Sequence, residues 1–383
     1  MITKDIVYIG ADDKDLDLFE GQYSVPNGVS YNSYVILDEK IAVMDTVDQR
    51  KSQEFLANLE KALDGRQPDY LVVNHVEPDH AATILPLLEK YPSLRLVGNA
   101  KTFQMLLLYF PSLDLSQAVT VKEGDTLCLG RHTLHFVLAP MVHWPEVMMT
   151  YDECDKVLFS ADGFGKFGAL DTDEDWDCEA RRYYFNIVGK YGPQVQAVLK
   201  KAAGLDIQII CPLHGPVLKD NLSHYLEKYD LWSRYAVEDE GVFIATASIH
   251  GNTAHAVEKL TELLHAKGCA AVEVADLTRG DISVALEDAF RYGKVVLAAS
   301  SYNAGVMPAM EDFLHHLKGK NYQKRTVALI ENGSWAPSAA RTMKEILSQM
   351  KEITVVEPVV TLRGAFKETD VPALEALADA LLA

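Results

Sequence analysis

The chain has 383 residues, 48% of them hydrophobic and 24% charged, with a formal net charge of -19 at pH 7; this is the balance of an ordinary globular protein, long enough for two domains. So acidic a chain lacks the basic footprint that nucleic acid requires, and anionic lipid would repel it. No apolar run reaches the length of a membrane span, and Met1-Ile2-Thr3-Lys4-Asp5-Ile6 lacks the charged and apolar regions of a signal peptide.

Taken in chain order, residues 6–45 read as antiparallel strands with turns at Pro26-Asn27-Gly28 and Asp38-Glu39-Lys40. Helices are predicted over 49–63, 81–90, 102–110, 179–190 and 221–234, and further strands over 70–74, 94–98, 126–139, 157–159 and 207–211. This mixture implies a layered α/β sandwich. The polar stretch 235–240 marks a boundary, so domains of residues 1–240 and 241–383 are expected. Beyond it, Val/Ile/Ala-rich strands over 242–248, 271–276, 294–300, 326–331 and 354–360 alternate with helical segments such as 252–267 and 307–317. That alternation implies a doubly wound parallel sheet, and five strands in this length imply its flavodoxin-like variant. The cysteines, Cys128, Cys154, Cys178, Cys211 and Cys269, form no Cys-x-x-Cys pair. Their odd, scattered set fits reduced thiols in a cytoplasm rather than a zinc or iron–sulfur knuckle.

The strand over 70–74 runs into His75-Val76-Glu77-Pro78-Asp79-His80, which packs four potential metal ligands into six residues, with Pro78 restricting the backbone between them. Three later loops each place one ligand just past an apolar strand and beside Gly or Pro: His143 before Trp144-Pro145, Asp162 before Gly163, and His214 between Pro212 and Gly215. Any one of these, alone, reads as an ordinary loop residue. Together, His75, Glu77, Asp79, His80, His143, Asp162 and His214 exceed the needs of one four-coordinate zinc. Their mixed imidazole and carboxylate chemistry suits iron, and a carboxylate can bridge two ions.

In the second half, Ser248-Ile249-His250-Gly251-Asn252-Thr253 leads from the first strand into a helix; its hydroxyls, its permissive glycine and the free N–H groups at the helix start can cradle a phosphate. An ordinary polar helix cap would use the same residues. Two further loops, Ser300-Ser301-Tyr302-Asn303-Ala304-Gly305 and Glu331-Asn332-Gly333-Ser334-Trp335-Ala336, also sit at carboxyl ends of strands, where open α/β sheets bind ligands. Tyr302 and Trp335 can flank a planar isoalloxazine, with backbone groups of these loops bonding to its polar edge. The arrangement is similar to flavodoxin, with a single phosphate cradle, and that resemblance implies FMN rather than FAD.

The order His-x-Glu-x-Asp-His, then His, Asp and His, resembles the metallo-β-lactamase fold. Glu77, where the hydrolases of that fold carry His, resembles its flavodiiron branch, and the flavodoxin-like half extends the resemblance over essentially the whole chain. The resemblance implies an αββα sandwich followed by a flavodoxin-like sheet. It also implies one iron held by His75, Glu77 and His143, a second held by Asp79, His80 and His214, and Asp162 between them. In the flavin loop, His250 stands where free-standing flavodoxins favour Thr or Ser. The implied activity is reduction of O2 to water or of NO to N2O, with FMN as electron converter and a head-to-tail homodimer, or a dimer of such dimers, joining the flavin of one chain to the irons of its partner. With no Cys-x-x-Cys segment here, the minimal two-domain class is expected, with a separate rubredoxin-like donor. Two other readings of the residues stay open at this point: a zinc hydrolase carrying a flavodoxin-like appendage, and a non-catalytic FMN electron carrier.

Overall fold

Alternation along short strands builds the core of the first half. In Tyr34–Ile36, Ala42–Met44 and Tyr70–Val72, the residues Tyr34, Ile36, Ala42, Met44, Tyr70 and Val72 point to one face and join a common buried cluster. Val35, Val43 and Leu71 point the other way and are buried too, so both faces need cover. The computed structural model, which describes residues 1–383, meets that need with two facing sheets between helices. The first sheet runs Ile6–Tyr8, Tyr34–Ile36, Ala42–Met44, Tyr70–Val72, Arg95–Asn99, Val119–Val121. The second runs Thr126–Cys128, Thr133–Leu138, Met148–Asp152, Val157–Phe159, Ile209–Cys211. Leu134, Phe136, Met148, Val157 and Phe159 of the second sheet share the cluster with the first, and helices such as Ala100–Tyr109 pack outside. This is the αββα sandwich, and it forms the compact unit Met1–Ser233.

The strand directions bring the ligand loops to one edge. Val157–Phe159 and Ile209–Cys211 are parallel, and Thr133–Leu138 is antiparallel to Met148–Asp152, which is itself antiparallel to Val157–Phe159. Three strands of the second sheet therefore end on the same side and release the loops carrying His143, Asp162 and His214. A backbone bond from Met148 N to Asn74 O (3.0 Å) ties the loop after Tyr70–Val72 to that sheet.

The unit Arg234–Ala383 is built on a parallel sheet in the order Val272–Asp276, Asp239–Ala247, Tyr292–Tyr302, Gln323–Asn332, Lys351–Val355. In chain order that is 2-1-3-4-5, the flavodoxin-like arrangement, whose switch point lies between the first and third strands. The loops that follow Ala247 and Tyr302 leave the sheet there.

Several elements differ from the sequence expectation. The strand expected over 126–139 is a hairpin, Thr126–Cys128 and Thr133–Leu138, because Gly130 (φ +132°) lets the chain turn back. The last expected strand, 354–360, is two pieces, Lys351–Val355 and Val360–Leu362, both paired with Gln323–Asn332; Pro358 between them has no N–H for the ladder. The helix expected over 179–190 is an α-helix, Trp176–Tyr183, followed by a π-helical turn, Tyr184–Val188. All five residues of that turn are buried, which a helix with a single core-facing stripe does not achieve. The helix Gly192–Ala202 and the strands Val119–Val121 and Met148–Asp152 had no clear sequence signal.

Candidate metal centre and cofactor cleft

Pro78 opens a short helical turn, Pro78–Ala81, as the first residue of a helix, where its missing N–H costs nothing. The turn carries Asp79 and His80, while His75 and Glu77 lie on the extended segment before it. Asp45 anchors that segment: its Oδ1 accepts from the backbone N–H groups of Asn74 (2.7 Å) and His75 (3.2 Å), and its Oδ2 accepts from Asn74 Nδ2 (2.7 Å). Asn74 Oδ1 in turn accepts from Thr150 Oγ1 (2.7 Å). Beside His143 and Asp162, Met141 (φ +65°) and Ala161 (φ +50°) hold left-handed backbone, a strain of about 1–3 kcal/mol at each that the surrounding fold must sustain.

All seven candidate ligands come together as two groups. In the first, His75 Nε2 lies 3.1 Å from Glu77 Oε2 and 3.3 Å from Asp162 Oδ2, and His143 Nε2 lies 3.0 and 3.1 Å from the same two atoms. In the second, Asp79 Oδ2 lies 3.2 Å from His80 Nε2 and 3.3 Å from His214 Nε2. Asp162 Oδ1 faces this second group, 3.5 Å from His80 Nε2 and 3.7 Å from His214 Nε2. One carboxylate thus turns one oxygen to each group.

These residues fit metal ions. Ligands about 2.1 Å from a shared ion stand about 3.0–3.4 Å apart, which is the spacing within each group. Asp79 Oδ1 is buried with no partner, and Asp79 Oδ2 and Asp162 Oδ1 face only imidazole Nε2 atoms without an aligned hydrogen bond, an expensive state unless a cation faces them. Two imidazoles are fixed from behind. His75 Nδ1 lies 2.7 Å from Glu146 Oε1, and His214 Nδ1 lies 2.7 Å from the carbonyl of Ser30. Both partners can only accept, so each Nδ1 carries the proton and each Nε2 turns its lone pair to the cluster.

The electrostatics point the same way. Burial opposes charging of His75, but Asp162, helped by Glu146 and Glu77, lifts it well above the usual imidazole value. His80 is likewise opposed by burial and lifted by Asp79 and Asp162 to about 10, and His143 by Asp162 and Glu77 to about 9. Burial would raise Asp162 and Asp79, yet the facing histidines hold both below the usual carboxylate range. Three clustered carboxylates demand positive charge, which either protons or metal ions can supply. Aromatic rings wall the site: Phe19 stands edge-on to His214 at 5.3 Å, Tyr183 lies 5.5 Å from the same ring, and Trp144 lies 5.4 Å from His75.

In the second unit, a cleft of about 350 Å³ opens at the carboxyl end of the sheet, within the size range of cofactor sites, about 300–1,000 Å³. Of the residues named from sequence, Ser248, Ile249, His250, Asn252, Thr253, Ser300, Ser301, Tyr302, Asn303, Ala304, Asn332, Gly333, Ser334 and Trp335 line it, whereas Gly251 and Gly305 do not. Gly251 instead makes the turn into the helix Asn252–Ala266 at φ +85°, a conformation that favours glycine. Ser248 Oγ is buried without a partner beside the start of that helix, as a phosphate cradle would leave it. Trp335 is 89% exposed and Tyr302 48%, so both rings have a free face. Ser301 Oγ accepts from Ser338 N (2.9 Å) and Ala339 N (3.2 Å), and Asn332 exchanges side-chain bonds with the backbone of Gly364 (2.8 and 3.0 Å).

Sequence reasoning passed over Asp45, Ser30, Glu146, Ser338 and Gly364. Glu146 lies three residues past His143, and Gly364 just past the last strand; those positions were the only signals available.

Comparison with known proteins agrees with this geometry. A family model described as "ODP family beta lactamase" matches residues 29–215. The anaerobic nitric oxide reductase flavorubredoxin of Vibrio vulnificus is 31% identical over 348 residues, covering 87% of this chain and 70% of that one. The nitric oxide reductase of Moorella thermoacetica is 28% identical over 372 residues, covering 94% and 92%. Among solved structures, the rubredoxin oxygen:oxidoreductase of Desulfovibrio gigas superposes with a TM-score of 0.93 at 26% identity, covering 100% and 97%. The chain belongs to the flavodiiron family, whose members are oxidoreductases. No helix is long and apolar enough to cross a membrane.

Proposed function

We propose that this chain reduces O2 to water or NO to N2O at a pair of non-haem irons, with FMN in the second unit and electrons from a rubredoxin-like protein. The observation that carries this reading is Asp162, whose two oxygens face different ligand groups; a site for one ion has no use for that arrangement, and Glu77, where the zinc hydrolases of this fold carry His, counts against a two-zinc site. His75, Glu77 and His143 would hold one iron, Asp79, His80 and His214 the other, and Asp162 would touch both. When bound, the irons supply a place where a small diatomic is reduced, and FMN supplies the electrons singly. The chain's own part is to present Nε2 lone pairs and carboxylates in fixed positions, to exclude bulk water with Phe19, Tyr183 and Trp144, and to hold the flavin phosphate at 248–253. Tyr302 and Trp335 would flank the ring. The overall changes are four electrons and four protons per O2, or two electrons and two protons per pair of NO.

Homodimerisation, head-to-tail as in the flavodiiron resemblance, would join each flavin to a partner's iron pair, and a two-fold axis makes two such junctions from one interface. At a net charge of -19, an acidic donor would dock through a local, less acidic patch. Five free thiols fit a cytoplasmic site of action. The test is metal and flavin analysis of the purified chain, followed by anaerobic steady-state turnover with each gas and a reduced rubredoxin-type donor. Two irons, one FMN and turnover of either gas are expected. Zinc in place of iron would support the hydrolase, and FMN without metal the simple carrier.

A further inference from the structure

The two ligand groups are matched in their direct contacts. Each has two imidazoles and one carboxylate of its own, and they share Asp162. The difference lies behind them. Glu146 Oε1 accepts from the His75 ring (2.7 Å) and from the backbone N–H of Val76 (3.0 Å). Glu146 is 1% exposed, its other oxygen has no partner, and its only ion pair is with His75. The second group has no hydrogen-bonded counterpart: His214 is backed by the neutral carbonyl of Ser30, and His80 Nδ1 is buried with no hydrogen-bond partner, feeling the Asp45 charge only through space. Two other carboxylates lie near the cluster, but neither bonds to a ligand ring. Asp45 uses its oxygens on N–H donors of Asn74 and His75, and Asp48 accepts from Arg50 N (2.8 Å).

A buried carboxylate with no cation of its own acts through the titratable group it touches, here the His75 ring. Away from water its charge is poorly screened, and it raises the electron-donating power of the imidazole it faces. Anchoring by the Val76 N–H at the same oxygen also holds the His75 ring in one orientation. We propose that Glu146 is a positioning residue that makes the His75–Glu77–His143 position the firmer of the two metal positions, so that metal leaves the Asp79–His80–His214 position first. This inference rests on the two-iron reading above.

Iron release from the intact protein under a mild chelator tests it, with the positions told apart by refilling the vacated one with ⁵⁷Fe and recording Mössbauer spectra. The wild type should release its iron in two phases, with the refilled signal altered by His80→Ala and not by Glu146→Gln. Glu146→Gln keeps an oxygen for the His75 and Val76 N–H groups but removes the charge. Its slow phase should quicken by about 10–100-fold, the usual effect of losing such a supporting carboxylate, while FMN content and the fast phase stay unchanged. Glu146→Ala should quicken it at least as much; if that variant folds poorly, the glutamine variant alone decides. A single phase in the wild type, a Glu146→Gln release curve equal to the wild type, or an effect confined to the fast phase each overturns the proposal. A wild type that holds no pair of irons at all would instead overturn the functional reading.

Discussion

Replacing Asp45 by alanine removes the one side chain that gathers three donors on the segment before the ligands. Asn74 N–H, His75 N–H and the Asn74 side-chain amide all bond to it, and Asp45, Asn74 and His75 are buried. Each buried donor left without an acceptor costs about 1–3 kcal/mol, and the relieved burial of the charge returns part of that. A net loss of about 3–5 kcal/mol is expected. At about 2–4 °C per kcal/mol for a unit of this size, the Tm should fall by about 6–20 °C. Asparagine should be far milder. Its oxygen can still accept from both backbone N–H groups, and its NH2 meets an acceptor if the Asn74 amide turns over, because Thr150 Oγ1 can accept as well as donate. Thermal melts followed by far-UV circular dichroism, with iron assayed on the same samples, read both effects. The alanine variant should also retain less iron, since His75 loses its backbone anchor. An alanine variant within about 1 kcal/mol of the wild type, or an asparagine variant as damaged as the alanine one, would refute this account.

Asp162→Ala should lose most of its iron and its turnover while keeping its flavin; a variant that retains both irons and full turnover would sink the shared-carboxylate assignment. Expressed alone, residues 234–383 should fold and bind FMN, identified by chromatography after acid release. A segment starting at 241 should be less stable by about 2 kcal/mol or more, because the buried Arg325 guanidinium loses the carbonyls of Tyr235 (2.9 Å) and Ala236 (3.3 Å); equal melting of the two segments would count against that. For electron supply, co-expression of a His75→Ala/His143→Ala chain with a Ser248→Asp/Thr253→Glu chain should restore partial turnover that neither shows alone. Verified mixed dimers without activity would show that electrons do not cross between subunits.

The local order of residues determined much of this protein. Strand and helix repeats are read over a few neighbours, so the alternating βα pattern after residue 240 announced a doubly wound sheet. Ligand loops follow apolar strands and carry Gly or Pro, so His75, Glu77, Asp79, His80, His143, Asp162 and His214 could be picked out once the loops were taken together. How those seven divide followed from the family resemblance, but neighbouring residues could not show what stands behind them. His75 meets Glu146 across 71 positions and His214 meets Ser30 across 184, and strand register settles such contacts. Val157–Phe159 pairs in parallel with Ile209–Cys211, which sets Asp162 beside His214; a shift of one residue in that pairing would turn each side chain to the opposite face. The kinds of ligand were therefore legible in the sequence. Their partners were decided by packing two sheets against each other, because the side chains on each face must fit the particular neighbours they meet, and that fit selects the register.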